Sequence, residues 1–250
     1  MKTVLITGCS SGFGLETARY FLDRDWTVIA TMRSPREDLL PRSGRLRVLA
    51  LDVTDADSIR QAVDAAGPVD VLVNNAGIGV LSALEGMSMQ TAREVFETNT
   101  LGTIAVTQAL LPQFRERKTG VIVNVTSSVT LRPLPLLAVY TASKAAVNAF
   151  TESVALELQP FNVRVKLVLP GRAPDTRFGE NARPRMQGPV PDAYASLTQS
   201  VYARMQESSE VTRSEDVAEA VWRAANDPAC PFRLPAGADA VAWAAATPHN

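Results

Sequence analysis

Residues 3–14 read TVLITGCSSGFG, and this stretch decides the fold class. Its first four residues form a short apolar run, which is typical of a buried β-strand. Apolar residues at helical spacing then predict a helix over 15–24. The glycines between the two permit a tight turn, and the positive end of the helix suits a pyrophosphate. For this motif alone, a glycine-rich turn without a ligand is the alternative.

Short apolar runs continue to alternate with helical patterns as far as Pro170. The predicted strands share a continuous apolar character, as in strands buried on both faces: 3–6, 28–30, 46–51, 69–73, 120–125 and 163–169. The predicted helices lie between them, at 15–24, 54–63, 88–117 and 138–158. Such alternation implies parallel pairing with right-handed crossovers. We therefore predict one α/β domain over 1–250, a three-layer, doubly wound parallel sheet of Rossmann-like type.

The pattern breaks after Pro170. Residues 171–213 cannot continue the sheet, because prolines and glycines interrupt them: Pro174, Pro184, Pro189 and Pro191, with Gly171, Gly179 and Gly188. Long irregular segments in compact domains are often functional, so we predict a substrate lid here. A last helix over 214–226, with Ser214 as its cap, and an edge strand at 232–234 complete the prediction.

Composition excludes several functional classes. The chain has 250 residues, 46% apolar and 20% charged, with a formal net charge of -1, so nothing indicates a nucleic-acid partner. Cys9 and Cys230 form neither a disulfide framework nor a metal-ligand spacing, and we predict no metal. With His249 as the only histidine, acid/base chemistry falls to Tyr, Lys, Asp or Glu. No run has the length of a membrane span or signal peptide, so we expect a cytoplasmic protein without membrane partners.

A second motif follows the fourth predicted strand directly: Asn74-Asn75-Ala76-Gly77. Ligands of open parallel sheets bind outside the carboxyl ends of the strands, which is where this tetrapeptide lies. Asn and Gly are also common turn residues, so a simple turn is the alternative.

A third group of residues offers acid/base chemistry. Tyr140 and Lys144 are four positions apart on a predicted helix, so they share one face. A nearby ammonium lowers the pKa of a phenol, which suits a proton donor that works near neutral pH. Ser127, at the end of the fifth strand, could hydrogen-bond a substrate oxygen, and Ser128 competes for that role. A surface Tyr-Lys pair and a strand-end cap are the alternatives.

In their order and spacing these motifs resemble the short-chain dehydrogenases/reductases. The match covers most of the chain: 7–14, 74–77, Asn99, Ser127, Tyr140, Lys144 and Pro170-Gly171. The resemblance implies that Tyr140 exchanges a proton with the substrate oxygen and that Ser127 donates to the same oxygen. Lys144 would hold the nicotinamide ribose and depress the pKa of Tyr140. Asn99 would perturb its helix and position a water that relays protons to the lysine.

The resemblance also implies cofactor contacts. The pyrophosphate would contact Gly8, Ser10, Phe13 and Gly14, and the adenine would contact Asp52 and Val53. Behind the adenosine ribose would lie Asn75, Ala76 and Gly77. The nicotinamide would contact Pro170 and Gly171. The family usually has a threonine five positions after the proline, in contact with the nicotinamide amide. Here Thr176 stands six positions after Pro170, so its loop must take a different path.

The end of the second strand bears on the choice of cofactor. NAD enzymes usually have an acidic residue there, but this chain reads Ile29-Ala30-Thr31-Met32-Arg33. Arg33 has a planar guanidinium suited to a 2′-phosphate, and Arg36 could assist. Ser11 occupies the turn position that is often basic in NADP enzymes. We predict NADP(H), with a merely solvated Arg33 as the alternative.

Together these features predict an NADP(H)-dependent oxidoreductase that transfers a hydride between nicotinamide and a carbonyl or secondary alcohol, with a small hydrophobic ketone or aldehyde as substrate. A non-redox enzyme on the same fold (an epimerase or lyase) and a non-catalytic NADP-binding regulator are the alternatives. The family often forms homodimers or homotetramers through its two long helices. Candidate contacts, which could equally face the chain's own core, are Val106, Leu110, Ala146, Phe150 and Val154.

Overall fold

The structure is a computed structural model that describes residues 2–186, 191–207 and 210–246. Within these residues seven strands form one sheet: β1 (Thr3–Ile6), β2 (Thr27–Met32), β3 (Leu46–Ala50), β4 (Val71–Asn74), β5 (Gly120–Val125), β6 (Val163–Pro170) and β7 (Arg233–Ala236). All neighbouring pairs are parallel, in the order β3-β2-β1-β4-β5-β6-β7. The strand order reverses between β1 and β4, which makes the carboxyl edge of these two strands the switch point of the sheet.

Helices cover both faces of the sheet. They are α1 (Gly12–Leu22), α2 (Ala56–Ala66), α3 (Met89–Phe96), α4 (Gly102–Arg117), α5 (Ala138–Leu158), α6 (Phe178–Ala182), α7 (Ala195–Glu207), α8 (Ser214–Asn226) and α9 (Ala238–Ala246). In the part of the chain that the structure describes, none of them is both long and apolar enough to cross a membrane.

Two apolar cores, one on each face, hold the layers together. Val4 and Ile6 of β1 pack with α1 and α8, whereas Leu5 between them packs with α2, α4 and α5. A strand whose successive side chains are all buried on opposite faces is typical of parallel sheets. The predicted three-layer, doubly wound architecture is confirmed.

The predicted helix over 88–117 has to be corrected, because it is not one regular α-helix. It is divided into α3, a π-helical turn at Glu97–Leu101, and α4. At the π turn, the buried Asn99 side chain pairs with the backbone of Ile78 in both directions, accepting from its N–H at 2.8 Å and donating to its carbonyl at 2.9 Å. A π turn shifts the helical register by one residue, and here it accompanies that contact.

The helix starts also differ from prediction. Ser214 is the first residue of α8 rather than its cap, and the Asp216 carboxylate accepts from the Arg213 N–H at 2.9 Å instead. Helix α2 begins at Ala56 rather than at 54, because the Asp55 carboxylate caps it by accepting from the Ser58 N–H at 2.7 Å. The predicted edge strand is β7, shifted to Arg233–Ala236.

The segment 171–213 is less irregular than its prolines predicted. It contains the helices α6 and α7, while residues 187–190 and 208–209 lie outside the described residues. Helix α9 was not predicted, because its sequence ADAVAWAAA lacks a polar face from which helical periodicity could be detected.

Three of the five candidate interface residues face the chain's own core. Val106, Leu110 and Val154 are buried in the cluster between the sheet and α2, α4 and α5. These three side chains therefore pack in the core of their own chain rather than at a subunit interface. Ala146 and Phe150 are half-buried.

A chain of buried amides and hydroxyls crosses the core between β4 and β5. The Asn74 amide donates to Thr107 Oγ1 at 2.9 Å and to Asn124 Oδ1 at 2.8 Å, and the Asn124 amide donates to Thr151 Oγ1 at 2.9 Å. Asn74 and Asn124 are register partners, so the pair fixes the alignment of the two strands.

Asn124→Ala should therefore destabilise the fold. It leaves the Asn74 amide and the Thr151 hydroxyl with fewer partners and opens a cavity, which together should lower the free energy of unfolding by about 2–4 kcal/mol. Urea unfolding followed by circular dichroism measures this change. Gln61→Ala, at an exposed position of α2, is the control and should stay within about 0.5 kcal/mol of the parent. Equal effects of the two substitutions would contradict a structural role for the buried amide chain.

Candidate active site

The predicted site residues converge on the carboxyl edge of the sheet. Gly8 follows β1, Arg33 follows β2, Asn75 follows β4 and Ser127 follows β5, while Pro170 ends β6. This edge surrounds the switch point, where open α/β sheets bind their ligands.

The first two motifs form one hydrogen-bonded unit. The Thr7 hydroxyl oxygen accepts from the backbone N–H groups of Asn75 and Ala76, both at 3.0 Å. In return the Asn75 side-chain amide donates to the carbonyls of Thr7 at 2.9 Å and Gly8 at 3.2 Å. A Cβ on Gly14 would lie 2.4 Å from both the Gly8 carbonyl oxygen and Asn75 Nδ2, so only glycine fits there. Thr7 was not among the predicted site residues, although the glycine motif contains it.

This turn fits a pyrophosphate. Ser11 precedes α1 with extended backbone, and among the described residues its side chain makes no capping hydrogen bond, so it leaves the first-turn N–H donors available. Such donors and the helix dipole suit an anion. Ser10 is exposed and Phe13 half-buried beside the same turn. Cys9, by contrast, is buried between β1 and β2, and burial raises the pKa of its thiol to about 12.

The predicted adenine contacts follow β3. Burial raises the pKa of Asp52, but hydrogen bonds from Thr54 and the charge of Arg33 outweigh it, so the pKa lies below its ordinary value. The Thr54 N–H and hydroxyl donate to Asp52 Oδ1 at 3.0 and 2.8 Å. Val53 is buried and packs against Gly102 at the start of α4. The Asp52 carboxylate is thus held in its ionised form beside Arg33.

Arg33 is exposed at the end of β2 and lines a cleft of about 510 Å³. Two arginines that the sequence analysis missed line it as well: Arg93 of α3 and Arg185, which follows α6. The Arg185 Nε is buried without a hydrogen-bond partner in the described part of the chain. Glu94 and Glu97 also line the cleft, so it carries charges of both signs. Only the tertiary fold brings these residues together, since no local motif links them.

The second predicted cation, Arg36, is already paired. Its guanidinium lies 2.6 Å from the Asp38 carboxylate, and both side chains are more than half exposed. A solvated pair of this kind contributes little to stability. Of the two predicted arginines, Arg33 is therefore the one that faces the cleft.

Tyr140, Ser127 and Lys144 are buried together. The Ser127 side chain lies close enough to the Tyr140 hydroxyl to lower the pKa of that phenol. Ser127 also accepts from the Val129 N–H at 3.3 Å, so it caps the short turn after β5 as well. Ser128, the competing candidate, is buried.

Burial shifts the pKa of both Tyr140 and Lys144, while the lowering of the Tyr140 pKa by Lys144 stays a prediction. Burial raises the pKa of Tyr140 to about 12, against the smaller lowering effect of its hydrogen bond with Ser127. Burial also lowers the pKa of Lys144 to about 8. The physical reason is that both groups lose water, which disfavours the charged form of each. The Lys144 ammonium donates to the Val125 carbonyl at 3.1 Å.

Asn99 joins the loop after β4 to α5. Besides its pairing with Ile78, its amide donates to Ser143 Oγ at 3.0 Å. A Cβ on Gly77 would lie 3.3 Å from both Asn99 Oδ1 and Lys144 Nζ, so the two side chains leave little room for a side chain at position 77. Ser143 was not predicted; it lies between Tyr140 and Lys144 in the sequence and points to Asn99.

A buried carboxylate from α9 holds the Pro170-Gly171 turn. Asp239 Oδ2 accepts from the Arg172 N–H at 2.6 Å, and Thr212 Oγ1 donates to Asp239 Oδ1 at 2.7 Å. The Gly171 N–H donates to the same Thr212 hydroxyl at 2.9 Å. A Cβ on Gly171 would lie 2.1 Å from Asp239 Oδ1, so glycine is required. Sequence reasoning missed Asp239 and Thr212, which stand far from Gly171 along the chain.

Thr176 lies beside the glycine turn. Its Cβ would be 3.4 Å from a Cβ on Gly12, and its hydroxyl donates to the Ala173 carbonyl at 2.9 Å. The extra residue after Pro170 is thus accommodated by a local turn. The contact of Thr176 with a nicotinamide amide stays a prediction.

Comparison with known proteins places this site in a family. The sequence profile described as short chain dehydrogenase matches residues 2–187. The 3-ketodihydrosphingosine reductase of Bacteroides thetaiotaomicron is 39% identical over 184 residues, 72% of this chain and 66% of that protein. Human retinol dehydrogenase 8 is 41% identical over 181 residues, 68% of this chain and 58% of that protein. The chain thus spans less than two thirds of the length of each.

Solved structures are similar over nearly the whole chain. A short-chain dehydrogenase from Streptomyces avermitilis is 32% identical, with a TM-score of 0.84, and 98% of this chain and 91% of that chain are covered. The closed form of serine dehydrogenase with NADP+ is 29% identical, with a TM-score of 0.80 and 95% of each chain covered. The 3-ketoacyl-(acyl-carrier-protein) reductase of Brucella melitensis with NADH is 27% identical, with a TM-score of 0.77 and coverage of 94% and 96%.

Thr212→Val should loosen the Gly171 turn. It keeps the shape of the side chain but removes the hydroxyl that links Gly171, Asp239 and the Ala236 carbonyl, which should cost about 1–3 kcal/mol of unfolding free energy. Urea unfolding provides the measurement. Thr212→Ser retains the hydroxyl and should recover most of the loss. A Thr212→Val variant as stable as the parent would contradict a structural role for these hydrogen bonds.

Proposed function

Because this chain belongs to the short-chain dehydrogenase family, we propose that it is an NADP(H)-dependent carbonyl reductase or alcohol dehydrogenase. The observation that carries the proposal is the burial of Tyr140, Ser127 and Lys144 together, beside the glycine turn. A nicotinamide cofactor supplies or accepts the hydride when bound. The net reaction adds a hydride and a proton to a carbonyl, or removes both from a secondary alcohol.

Tyr140 is the proposed proton donor. A phenol with a pKa of about 12 is protonated at neutral pH, so it is ready to donate to a carbonyl oxygen. The Ser127 hydroxyl beside it donates to the same oxygen and stabilises the charge that develops there. In the oxidising direction Tyr140 has to lose its proton, and a positive charge on Lys144 favours that loss.

Lys144 and Asn99 complete the proposed catalytic group. With a pKa of about 8, the Lys144 ammonium is largely protonated at neutral pH and can donate to ribose hydroxyls. Asn99 acts through its contacts with Ile78 and Ser143, which position α5 against the loop after β4. We propose that a water held near Asn99 relays protons to Lys144.

The proposed cofactor contacts are Gly8, Ser10, Ser11, Phe13, Gly14, Arg33, Asp52, Val53, Asn75, Ala76, Gly77, Tyr140, Lys144, Pro170, Gly171 and Thr176. NADP(H) is preferred because β2 is followed by Arg33 rather than by an acidic residue. Arg93 and Arg185 add positive charge to the same cleft, where a 2′-phosphate would be attracted. Of the similar structures, one contains NADP+ and another NADH. The proposed preference for NADP(H) therefore rests on the arginines of this chain.

The proposed substrate is a hydrophobic ketone, aldehyde or alcohol. The two relatives above are named for 3-ketodihydrosphingosine and retinol, both of which are largely hydrocarbon. Tyr140 belongs to an apolar cluster with Val80 and Val95, so one side of the reacting oxygen is apolar. The segment 171–213 is the proposed lid over this pocket.

We also propose a cytoplasmic homodimer or homotetramer. Helix α5 exposes Leu156 at 72% and the π turn exposes Leu101 at 48%, which leaves apolar side chains for contacts between subunits.

Tyr140→Phe should lower kcat about 10²- to 10⁴-fold, the usual contribution of a general acid. NADPH affinity should stay nearly unchanged, because the phenol acts on the reacting oxygen. Absorbance at 340 nm with a panel of aromatic and aliphatic ketones measures turnover, and NADPH fluorescence measures binding. Tyr20→Phe, far from the site on α1, is the control. Retained turnover in Tyr140→Phe would contradict the assignment, and binding without turnover in the parent would favour a regulator.

Arg33→Ala should raise the dissociation constant of NADPH about ten- to a hundredfold, because a hydrogen-bonded charge contributes about 1.5–3 kcal/mol. The dissociation constant of NADH should change little, since NADH lacks the 2′-phosphate. Arg36→Ala is the matched control, because Arg36 is engaged by Asp38. Fluorescence titration with both cofactors measures the effect, and equal losses for both would count against a 2′-phosphate contact.

A further inference from the structure

The ring of Phe178, the first residue of α6, packs between two parts of the candidate active site. On one side it meets Tyr140, with 5.8 Å between the ring centroids and 60° between the ring planes. On the other side it lies on the backbone of Gly79: a Cβ there would be 2.6 Å from Cε1 and 2.8 Å from Cζ of Phe178. The ring therefore lies against Gly79 more closely than any side chain at that position would permit.

This ring lies where the substrate has to be. A substrate oxygen must reach the Tyr140 hydroxyl, so the groups on its carbon must lie beside the Tyr140 ring. Two residues earlier, Thr176 rests against Gly12 of the glycine turn. The start of the segment 171–213 thus extends from the proposed phosphate-binding turn to the proposed acid/base.

The surroundings of the ring are apolar but open. Val80 and Val95 are buried with Tyr140 in one cluster, against which Val129 and Val139 pack. Phe178 itself is 41% exposed. A half-exposed aromatic ring loses only part of its buried contacts when it moves away, and α6 is a five-residue helix with few contacts of its own.

We propose that Phe178 is an internal occupant of the substrate subsite: its ring covers Tyr140 in the free protein and gives way to an apolar group of the substrate. This inference rests on the proposed function. It narrows the substrate class to carbonyls or alcohols whose reacting carbon bears a flat or extended apolar group. Such a group recovers the contacts with Gly79 and Tyr140 that the ring gives up.

An internal occupant lowers apparent affinity. A ligand that needs the ring displaced binds only the fraction of molecules in which the subsite is open. Removing the ring should therefore tighten the binding of apolar ligands. A ring that served only to pack the lid, or to contact the bound substrate, would give the opposite result when removed.

Three variants test the inference. Phe178→Ala removes the ring. Gly79→Ala keeps the ring but places a methyl group where it now lies, and the double variant combines both. Tyr202→Ala is the matched control, because Tyr202 is also an aromatic side chain of this segment and is also 41% exposed.

The probes are 1-anilinonaphthalene-8-sulfonate, a fluorophore with two apolar aromatic groups and one sulfonate, and aryl and long-chain alkyl ketones with NADPH. Phe178→Ala should lower the dissociation constant of the fluorophore and the KM of the ketones about three- to tenfold, if the open fraction rises from roughly a third or a tenth to one. In the double variant, Gly79→Ala should reverse part of the gain seen in Phe178→Ala, because its methyl group occupies the space beside Tyr140 that the ring leaves to the ligand.

Weaker binding and a higher KM in Phe178→Ala would overturn the inference, as would unchanged binding of both probes. An equal gain in Tyr202→Ala would also overturn it, because general loosening of the segment would then explain the effect. If the parent protein reduces no ketone, the proposed function fails, whereas the fluorophore titration still decides whether the ring is displaced.

Discussion

The reciprocal hydrogen bonds between Thr7 and Asn75 are the interaction on which the site depends. The Thr7 hydroxyl accepts two backbone N–H groups of the 74–77 motif, and the Asn75 amide donates back to two carbonyls of the glycine turn. These bonds hold the carboxyl ends of β1 and β4 together where the strand order reverses. Because these bonds hold the carbonyls of Thr7 and Gly8 in place, the glycine turn can present its free N–H donors to an anion in a fixed arrangement.

A second set of polar contacts connects the 74–77 motif with the acid/base residues. Asn99 and Lys144 border the position that a side chain at Gly77 would occupy, and the Asn99 amide donates to Ser143 on α5. The same packing excludes water, which raises the pKa of Tyr140 and lowers that of Lys144. Both shifts favour the neutral forms, so charges brought by a ligand meet a region of low polarity, where electrostatic interactions are stronger than in water.

The segment after β6 is held by hydrogen bonds at its first residues and is more lightly packed around Phe178. Its first residues are fixed by Asp239 and Thr212, which satisfy the N–H groups of Arg172 and Gly171. A few residues later, the Phe178 ring packs on Tyr140 and Gly79 and stays 41% exposed. Hydrogen bonds between buried groups resist displacement more than the partial burial of one ring does, so the part nearest the acid/base is the part best able to move.

The sequence by itself determined the features that depend on local pattern. Continuous apolar runs identified six of the strands, and the spacing of Tyr140 and Lys144 placed them on one helical face. The tertiary structure alone decided which distant groups meet. The π turn accompanies the contact of Asn99 with Ile78, the 510 Å³ cleft unites arginines from three elements, and Asp239 reaches Arg172 across 67 positions. Burial, which sets the pKa of Tyr140, is likewise a property of the whole fold, because it depends on every element packed around the phenol.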